Sequence, residues 1–84
     1  MPLRQVLLDA TGTQLEYDSD DRTWTRYIRR GDPAVCAVVF GENTWPVACY
    51  VEYSDGSARH FRHTADARDA ARHFVTHGTH RTSR

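Results

Sequence analysis

The chain has 84 residues, with eleven arginines, eleven acidic residues and no lysine, so its formal charge at neutral pH is zero. This length allows one domain with a small core. Zero net charge removes any bulk electrostatic argument for a nucleic acid or a membrane surface as partner. The missing lysine indicates a GC-rich genome and, with the small size and the lack of enzyme motifs, is typical of a protein encoded by a phage or mobile element.

The first ten residues lack the long apolar core and the small-residue cleavage site of a secretory signal peptide. No apolar run approaches the length of a membrane span. The two cysteines, Cys36 and Cys49, are expected to be free thiols in a reducing compartment. We therefore expect a cytoplasmic protein that has no membrane partner.

The first part of the chain predicts three strands. Residues 4–17 alternate apolar and polar positions about a turn at 11–12, which predicts a hairpin. The apolar residues expected on one face of this hairpin are Val6, Leu8, Ala10, Leu15 and Tyr17. Residues 23–30 alternate in the same way, and we expect Trp24 and Ile28 to point toward the core.

Two further strands, residues 34–40 and 45–53, flank the short segment GENT. Pro46 cannot donate a ladder hydrogen bond, and this favours a four-residue loop over a two-residue loop. With that loop the expected opposite pairs are Phe40 with Trp45, Val38 with Val47 and Cys36 with Cys49.

The last strand follows Asp55-Gly56, a pair typical of a two-residue hairpin turn in which both central residues have positive φ. Such a turn brings together Tyr53 with Ala58, Glu52 with Arg59, Val51 with His60 and Tyr50 with Phe61. Glu52 opposite Arg59 would form a cross-strand ion pair, which supports this register.

A helix is predicted over residues 65–77. Its apolar residues recur with a helical period, and they are Ala67, Ala70, Ala71, Phe74 and Val75. Thr64 is expected to be the N-cap and Gly78 the left-handed stop. The pattern as a whole predicts an α+β domain over residues 1–78, an antiparallel meander of about five strands packed by one C-terminal helix, with a flexible polar tail at 79–84.

All five histidines lie between His60 and His80. His73 and His77 are one helical turn apart, and Asp69 precedes them by one more turn, so the three side chains are candidate metal ligands. A solvated helix C-terminus explains the histidines better, because His73 and His77 lie on or near the solvent side of the apolar stripe, no Cys or Glu follows at metal-ligand spacing, and histidines suit the negative end of the helix dipole. We favour this second interpretation and expect neither a metal nor a cofactor.

The expected pairing of Cys36 with Cys49 would allow a cross-strand disulfide, or a thiol pair joined through His60 on the same face. Free cysteines are also among the residue types most often buried in cores. We favour core packing for both.

A catalytic signature is not evident. Ser54, Asp55 and Ser57 lie near several histidines in sequence, but no nucleophile elbow, phosphate loop or pair of carboxylates surrounds them. The turn explains Asp55-Gly56 fully. We expect a protein that is not an enzyme and has no small-molecule substrate.

Arginines cluster at the end of the third strand and in the last hairpin, where aromatic side chains accompany them. Together they could contact phosphates, although arginines on solvated strand faces are a simpler explanation. The residues proposed to bind a partner or a nucleic acid are Arg26, Arg29, Arg30, Arg59, Arg62 and Tyr50.

The order strand, turn, strand, helix after Trp45 resembles the three-stranded DNA-reading domains of the AP2 and integrase arm-binding type. The matching positions, within residues 45–75, are Trp45, Phe61, Thr64, Ala67 (displaced by one) and Ala71. The resemblance implies that the sheet face away from the helix enters the major groove through Arg and Trp side chains. This chain differs in having Glu52 where a basic residue is expected, and in the two extra strands before the matching unit.

Two hypotheses follow. In the first, a small non-catalytic interaction or regulatory protein binds a protein partner, or a second copy of itself, through an exposed sheet face or edge. Both faces of the last hairpin carry apolar residues and one helix covers only one face, so the other must meet the first hairpin by curling of the sheet or meet another molecule. In the second, the sheet binds DNA, which requires the arginines to converge on one face; the four concerned are Arg26, Arg29, Arg59 and Arg62.

Overall fold

The computed structural model describes residues 4–8, 13–18, 24–41 and 48–80, and these form one antiparallel sheet and one helix. The elements are β1 (Arg4–Leu8), β2 (Gln14–Asp18), β3 (Trp24–Ile28), β4 (Cys36–Phe40), β5 (Cys49–Tyr53), β6 (Ala58–Phe61) and α1 (Thr64–His77). The predicted α+β meander packed by a C-terminal helix is confirmed, with six strands in the sheet.

The sheet is open. Each strand pairs with the next in sequence, in the order β1-β2-β3-β4-β5-β6. Among the described elements β1 and β6 make no contact with each other, so these strands do not close into a barrel.

Helix α1 packs on one face of the sheet, across β3 to β6. The predicted apolar stripe is confirmed, since the buried helix residues are Ala67, Ala70, Ala71, Phe74 and Val75. Three of the five are alanines, so the helix backbone lies close to the strands it covers. The sheet side of this core consists of Tyr27, Ala37, Val39, Cys49, Val51 and Tyr53.

The C-terminal end of α1 agrees with the prediction, and its N-terminal end does not. Gly78 has φ 73°, and its N–H donates to the carbonyl oxygen of Phe74 at 2.7 Å, so the left-handed stop is confirmed. The predicted N-cap is wrong. His63 has the extended backbone of an N-cap and no side-chain capping bond, and Thr64 is already the first helical residue.

The register of the last hairpin differs by one residue from the prediction. The N–H of Tyr53 donates to the Ser57 carbonyl at 2.9 Å and the N–H of Gly56 to the Tyr53 carbonyl at 3.0 Å. The loop thus has three residues and ends in Gly56 with φ 92°. The observed pairs are Glu52 with Ala58, Val51 with Arg59, Tyr50 with His60 and Cys49 with Phe61, so the predicted Glu52–Arg59 pair is wrong.

The pairing of β4 with β5 differs by five residues. Phe40 lies opposite Tyr50, and the N–H of Cys36 donates to Ser54 Oγ at 3.1 Å. Cys36 and Cys49 are therefore at opposite ends of the two strands, on opposite faces, and no disulfide joins them. The alternatives of a disulfide and of a His60-bridged pair are therefore excluded. Core packing, the favoured interpretation, is confirmed for Cys49 but wrong for Cys36, which is half-buried on the other face. Residues 42–44 of the predicted loop, and Trp45, Pro46 and Val47 of the predicted strand, lie outside the described residues.

The earlier strands were also assigned to the wrong faces. Leu15 lies opposite Leu7, one position away from the register predicted for the first hairpin. In β3, Tyr27 faces the helix and is 2% exposed. Trp24 and Ile28 alternate with it and lie on the other face, although Ile28 is itself buried. The largest side chain of the strand is therefore not part of the helix-covered core.

Candidate interaction surface

The face of the sheet opposite α1 is called the open face. Cross-strand register arranges its described side chains in rows that run perpendicular to the strands. The first row consists of Trp24, Phe40, Tyr50 and His60, and the second of Glu16, Arg26, Val38, Glu52 and Ala58. A third, shorter row holds Gln14, Ile28 and Cys36.

The first row is a ladder of rings on four consecutive strands. Phe40 and Tyr50 stack with ring centroids 5.0 Å apart and planes inclined by 18°. Tyr50 and His60 follow with centroids 5.5 Å apart and planes inclined by 31°. Trp24 lies directly opposite Phe40 and completes the row. Sequence alternation placed these residues in strands, but only the non-local register brings them together.

The rings of Phe40 and Tyr50 lean over one another. Two nearly parallel rings with centroids 5.0 Å apart cannot lie side by side in one plane, because their hydrogens would overlap. Offset stacking is the remaining arrangement, and it covers part of each ring face with the neighbouring ring. Both side chains are accordingly half-buried. They turn ring edges and apolar rims outward, not full ring faces.

The second row carries the charges of the open face. Arg26 Nη1 donates to Glu16 Oε1 at 3.2 Å, and the guanidinium also lies 5.7 Å from the centre of the Trp24 ring. Glu52 is exposed, two strands away from Arg26 with Val38 between them. Without counting His60, these two carboxylates and one guanidinium leave one net negative charge on the described part of the face.

Arg29, predicted to contact a partner, instead holds the end of the helix. Its Nε donates to the Val75 carbonyl at 2.9 Å and its Nη2 to the Thr76 carbonyl at 3.1 Å. The last carbonyls of a helix have no partner within the helix and carry its negative dipole end. The guanidinium of Arg29 gives these carbonyls hydrogen-bond donors and places a positive charge at the negative dipole end. It also links the end of β3 to the end of α1.

The other predicted arginines do not share a surface. Arg59 belongs to the helix-covered face and lies 5.1 Å from the centre of the Phe61 ring. Arg30 is exposed in the turn between β3 and β4, and Arg62 is exposed after β6. Of the four arginines whose convergence the DNA hypothesis requires, only Arg26 lies on an open-face strand position. Tyr50, the remaining predicted contact residue, lies at the centre of the ring ladder.

A serine, an aspartate and a histidine meet beside the last hairpin. Asp55 Oδ1 accepts from the Ser57 hydroxyl at 2.6 Å and from the Ser57 N–H at 2.9 Å. His80 Nε2 lies 2.7 Å from Asp55 Oδ2 and 3.1 Å from Ser57 Oγ. These hydrogen bonds lower the pKa of Asp55 to about 2, and those from Ser57 contribute more than the one from His80.

The hydrogen-bond arrangement of this cluster differs from that of a nucleophilic triad. In a nucleophilic triad the hydroxyl donates to the imidazole while the carboxylate holds the other ring nitrogen. Here the Ser57 proton points to Asp55, and one nitrogen of His80 faces both oxygens. The imidazole also packs against Tyr53 and Phe74, with ring centroids 4.4 and 5.0 Å away. The cluster therefore ties His80 to the turn and the core.

Tyr53 is the buried residue nearest to this cluster. It is 5% exposed, and its hydroxyl has no hydrogen-bond partner in the described part of the chain. Burial raises the pKa of this phenol, an effect that nearby Arg59 reduces and Asp55 reinforces.

The candidate metal ligands of the helix come only partly together. The rings of His73 and His77 are in contact, with centroids 4.5 Å apart. Asp69 is instead paired with Arg72, at 3.5 Å between Oδ1 and Nη1. Within the described residues no group of three or more His, Cys, Asp or Glu side chains could hold a metal ion.

Comparison of the chain with protein-family models, with curated proteins and with solved structures finds no match. The similarity to AP2 and integrase arm-binding domains thus rests on the quoted positions alone, and Trp45 among them lies outside the described residues. In the part of the chain that the structure describes, no helix is long and apolar enough to cross a membrane.

Proposed function

We propose that this chain is a small non-catalytic interaction protein, with a regulatory role, that binds another polypeptide through its open face. The observation that carries the proposal is the ring ladder on the open face, which holds Trp24, Phe40, Tyr50 and His60. Aromatic side chains outside the core are costly for a small protein unless a partner covers them. Tyr and Trp are also the residues that dominate protein–protein interfaces.

Charge and ring geometry support a polypeptide over DNA as the partner. A nucleic-acid surface needs several cations aimed at phosphates, and the described open face has one net negative charge. Single-stranded nucleic acids stack their bases on open ring faces, whereas Phe40 and Tyr50 cover part of each other. DNA binding through Arg26 and the arginines near β6 stays the second candidate, with weaker support.

The open face is favoured over the edge of the sheet. The edge strands of the sheet are β1 and β6. Strand β1 has five residues and begins with Arg4, and β6 has four residues and carries Arg59. Short edge strands with charged side chains are a common means of preventing strand addition. We propose that the protein works in the cytoplasm, where two free thiols such as Cys36 and Cys49 are ordinary.

The test is site-specific photo-cross-linking in the cells that produce the protein. Tyr50, on the open face, is replaced by p-benzoylphenylalanine, and the control carries the same residue at Ala65, which is exposed on the helix. We expect a discrete protein adduct from position 50 and none from position 65. Equal labelling from the two positions, or position-50 adducts that a nuclease removes, would overturn the proposal; the nuclease result would favour DNA.

A further inference from the structure

We propose that the polypeptide bound by the open face is a second copy of this chain, packed face to face about a two-fold axis that runs along β4. The inference rests on the proposed function and names its partner. It follows from the residues that a two-fold axis along β4 brings opposite each other in the rows of the open face.

A two-fold axis along β4 places β4 over its own copy and β3 over β5 of the second copy. In the first row, Phe40 then meets Phe40 of the second copy, and Trp24 meets Tyr50 of the second copy. In the second row, Val38 meets Val38 of the second copy. The apolar centre of each face is thus covered by an apolar centre, as an interface between two sheets requires.

The same axis pairs the charges. Arg26 on β3 and Glu52 on β5 lie in one row on either side of Val38. After the two-fold rotation, Arg26 lies over Glu52 of the second copy, and Glu52 over Arg26 of the second copy. Sheets pack about 10 Å apart, a gap that an arginine and a glutamate bridge together. Each Arg26 would then bind its own Glu16 and the opposite Glu52.

Other axes leave the charges badly matched. An axis along β3 places Arg26 over Arg26, and an axis along β5 places Glu52 over Glu52. An axis midway between β3 and β4 places Glu16 over Glu52, which are both acidic, and one midway between β4 and β5 places Glu52 over Val38. An in-plane axis perpendicular to the strands through the second row again superposes each charge on its own kind. Because like-charge contacts and unpaired buried charges at an interface are unfavourable, the charges select β4.

The available area allows a small dimer interface. Five overlapping strands spaced about 4.8 Å apart, each five residues long at about 3.4 Å per residue, give a projected area of roughly 400 Å² per copy. Side-chain relief makes the accessible area larger, but Ile28 and the side chain of Glu16, 7% and 13% exposed, add little to it, so the interface is smaller than the ~800 Å² per partner of a standard one. Covering this face also adds burial that a chain of 84 residues otherwise lacks.

The experiment exploits the charge pair by complementation. Arg26→Glu alone places two carboxylates opposite each other across the interface, and Glu52→Arg alone places two guanidinium groups opposite each other. When the two variants are mixed, both cross-interface contacts become attractive. By sedimentation equilibrium we expect wild-type dimers, a dissociation constant raised about tenfold or more in each variant alone, and recovery to within about threefold in the mixture. Arg68→Glu, a matched charge reversal on the exposed side of α1, should leave the dimer unchanged.

Cross-linking of the native thiol tests the same axis without a charge change. Cys36 lies on β4 in the third row, so it faces Cys36 of the second copy across the gap. Sheets about 10 Å apart are too distant for a disulfide, but a short bis-maleimide should link the two thiols in the wild-type protein. Circular dichroism shows whether each charge variant has folded.

Two results would overturn the inference. One is a wild-type chain that stays monomeric at about 100 µM, well above the range of specific interfaces. The other is a dimer that both charge variants leave intact and that gives no Cys36 cross-link. In either case, an adduct of a different protein at position 50 would leave the proposed function standing, whereas loss of that adduct as well would remove both.

Discussion

Tyr50 and Val51 are neighbours in β5 and point to opposite faces of the sheet, Tyr50 to the ring ladder and Val51 to the core under the helix. Val51 is fully buried, while Tyr50 is half-buried and stacked on Phe40. The strand thus separates two tasks. One of its faces stabilises the fold, and the other presents the surface that we propose for binding.

This separation predicts opposite effects of two adjacent substitutions. Val51→Ala should lower the free energy of unfolding by about 2 kcal/mol, because it leaves a cavity in the core. Tyr50→Ala should lower it by less than about 1 kcal/mol, yet abolish the Cys36–Cys36 cross-link and dimer formation. Urea denaturation and sedimentation measure the two quantities. If Tyr50→Ala destabilised the monomer as much as Val51→Ala, the open face would be a part of the core.

Arg29 is predicted to stabilise the fold through the helix end. Arg29→Gln removes the charged fork from the Val75 and Thr76 carbonyls and should cost about 1–2 kcal/mol of unfolding free energy. The control Arg30→Gln alters an exposed turn residue and should stay within about 0.5 kcal/mol of wild type. Equal effects of the two changes in urea denaturation would contradict the role assigned to Arg29.

Two glycines with the same backbone conformation form a matched pair. Gly31 has φ 85° and Gly41 has φ 84°, so alanine is strained at both by about 1–2 kcal/mol. A Cβ at Gly41 would lie 2.8 Å from the Ala48 carbonyl oxygen, whereas a Cβ at Gly31 meets nothing within 4 Å. Gly41→Ala should therefore lower the melting temperature clearly more than Gly31→Ala. Similar melting temperatures would argue against the close approach of β4 and β5 at Gly41.

The lowered pKa of Asp55 predicts that the folded chain loses stability in acid. Its pKa of about 2 in the folded chain is below the ordinary value of 3.8. The carboxylate therefore contributes stability that is present above about pH 4 and is lost as the pH falls toward 2. In Ser57→Ala the hydrogen bond from the hydroxyl is lost, so NMR titration of the side-chain carbon should show the pKa of Asp55 moving up toward 3.8. A wild-type pKa already near 3.8 would contradict the hydrogen bonding described here.

The helix could be predicted from the sequence because its signals are local. The alanine-rich stripe repeats with a helical period within fourteen residues, and Gly78 marks its end. The sequence does not distinguish His63 from Thr64 as the N-cap, because both precede the apolar stripe and the observed cap makes no side-chain hydrogen bond.

Strand registers could be predicted less well than the helix. The register of a hairpin depends on the length of its loop, and the loop length depends on packing between residues that are far apart in the sequence. Asp55-Gly56 fits a two-residue turn, but it equally fits a three-residue loop that ends in glycine. The Asp55 side chain accepts from the Ser57 N–H and stabilises the longer form. A shift of the register by one residue gives every residue a different partner on the neighbouring strand, and it changes which side chains share a face. The ring ladder, which depends on three registers at once, was for that reason not foreseen beyond Tyr50.

Coverage of the open face by a partner can be measured through the reactivity of native Cys36. Its thiol lies half-buried on the open face, while Cys49 is fully buried under the helix and serves as an internal reference. Alkylation by N-ethylmaleimide is followed by mass spectrometry in intact cells and in the purified chain at high dilution. If a partner covers the open face, Cys36 is protected in cells and becomes reactive on dilution, while Cys49 stays unreactive in both. Equal labelling of Cys36 in the two conditions would contradict such coverage.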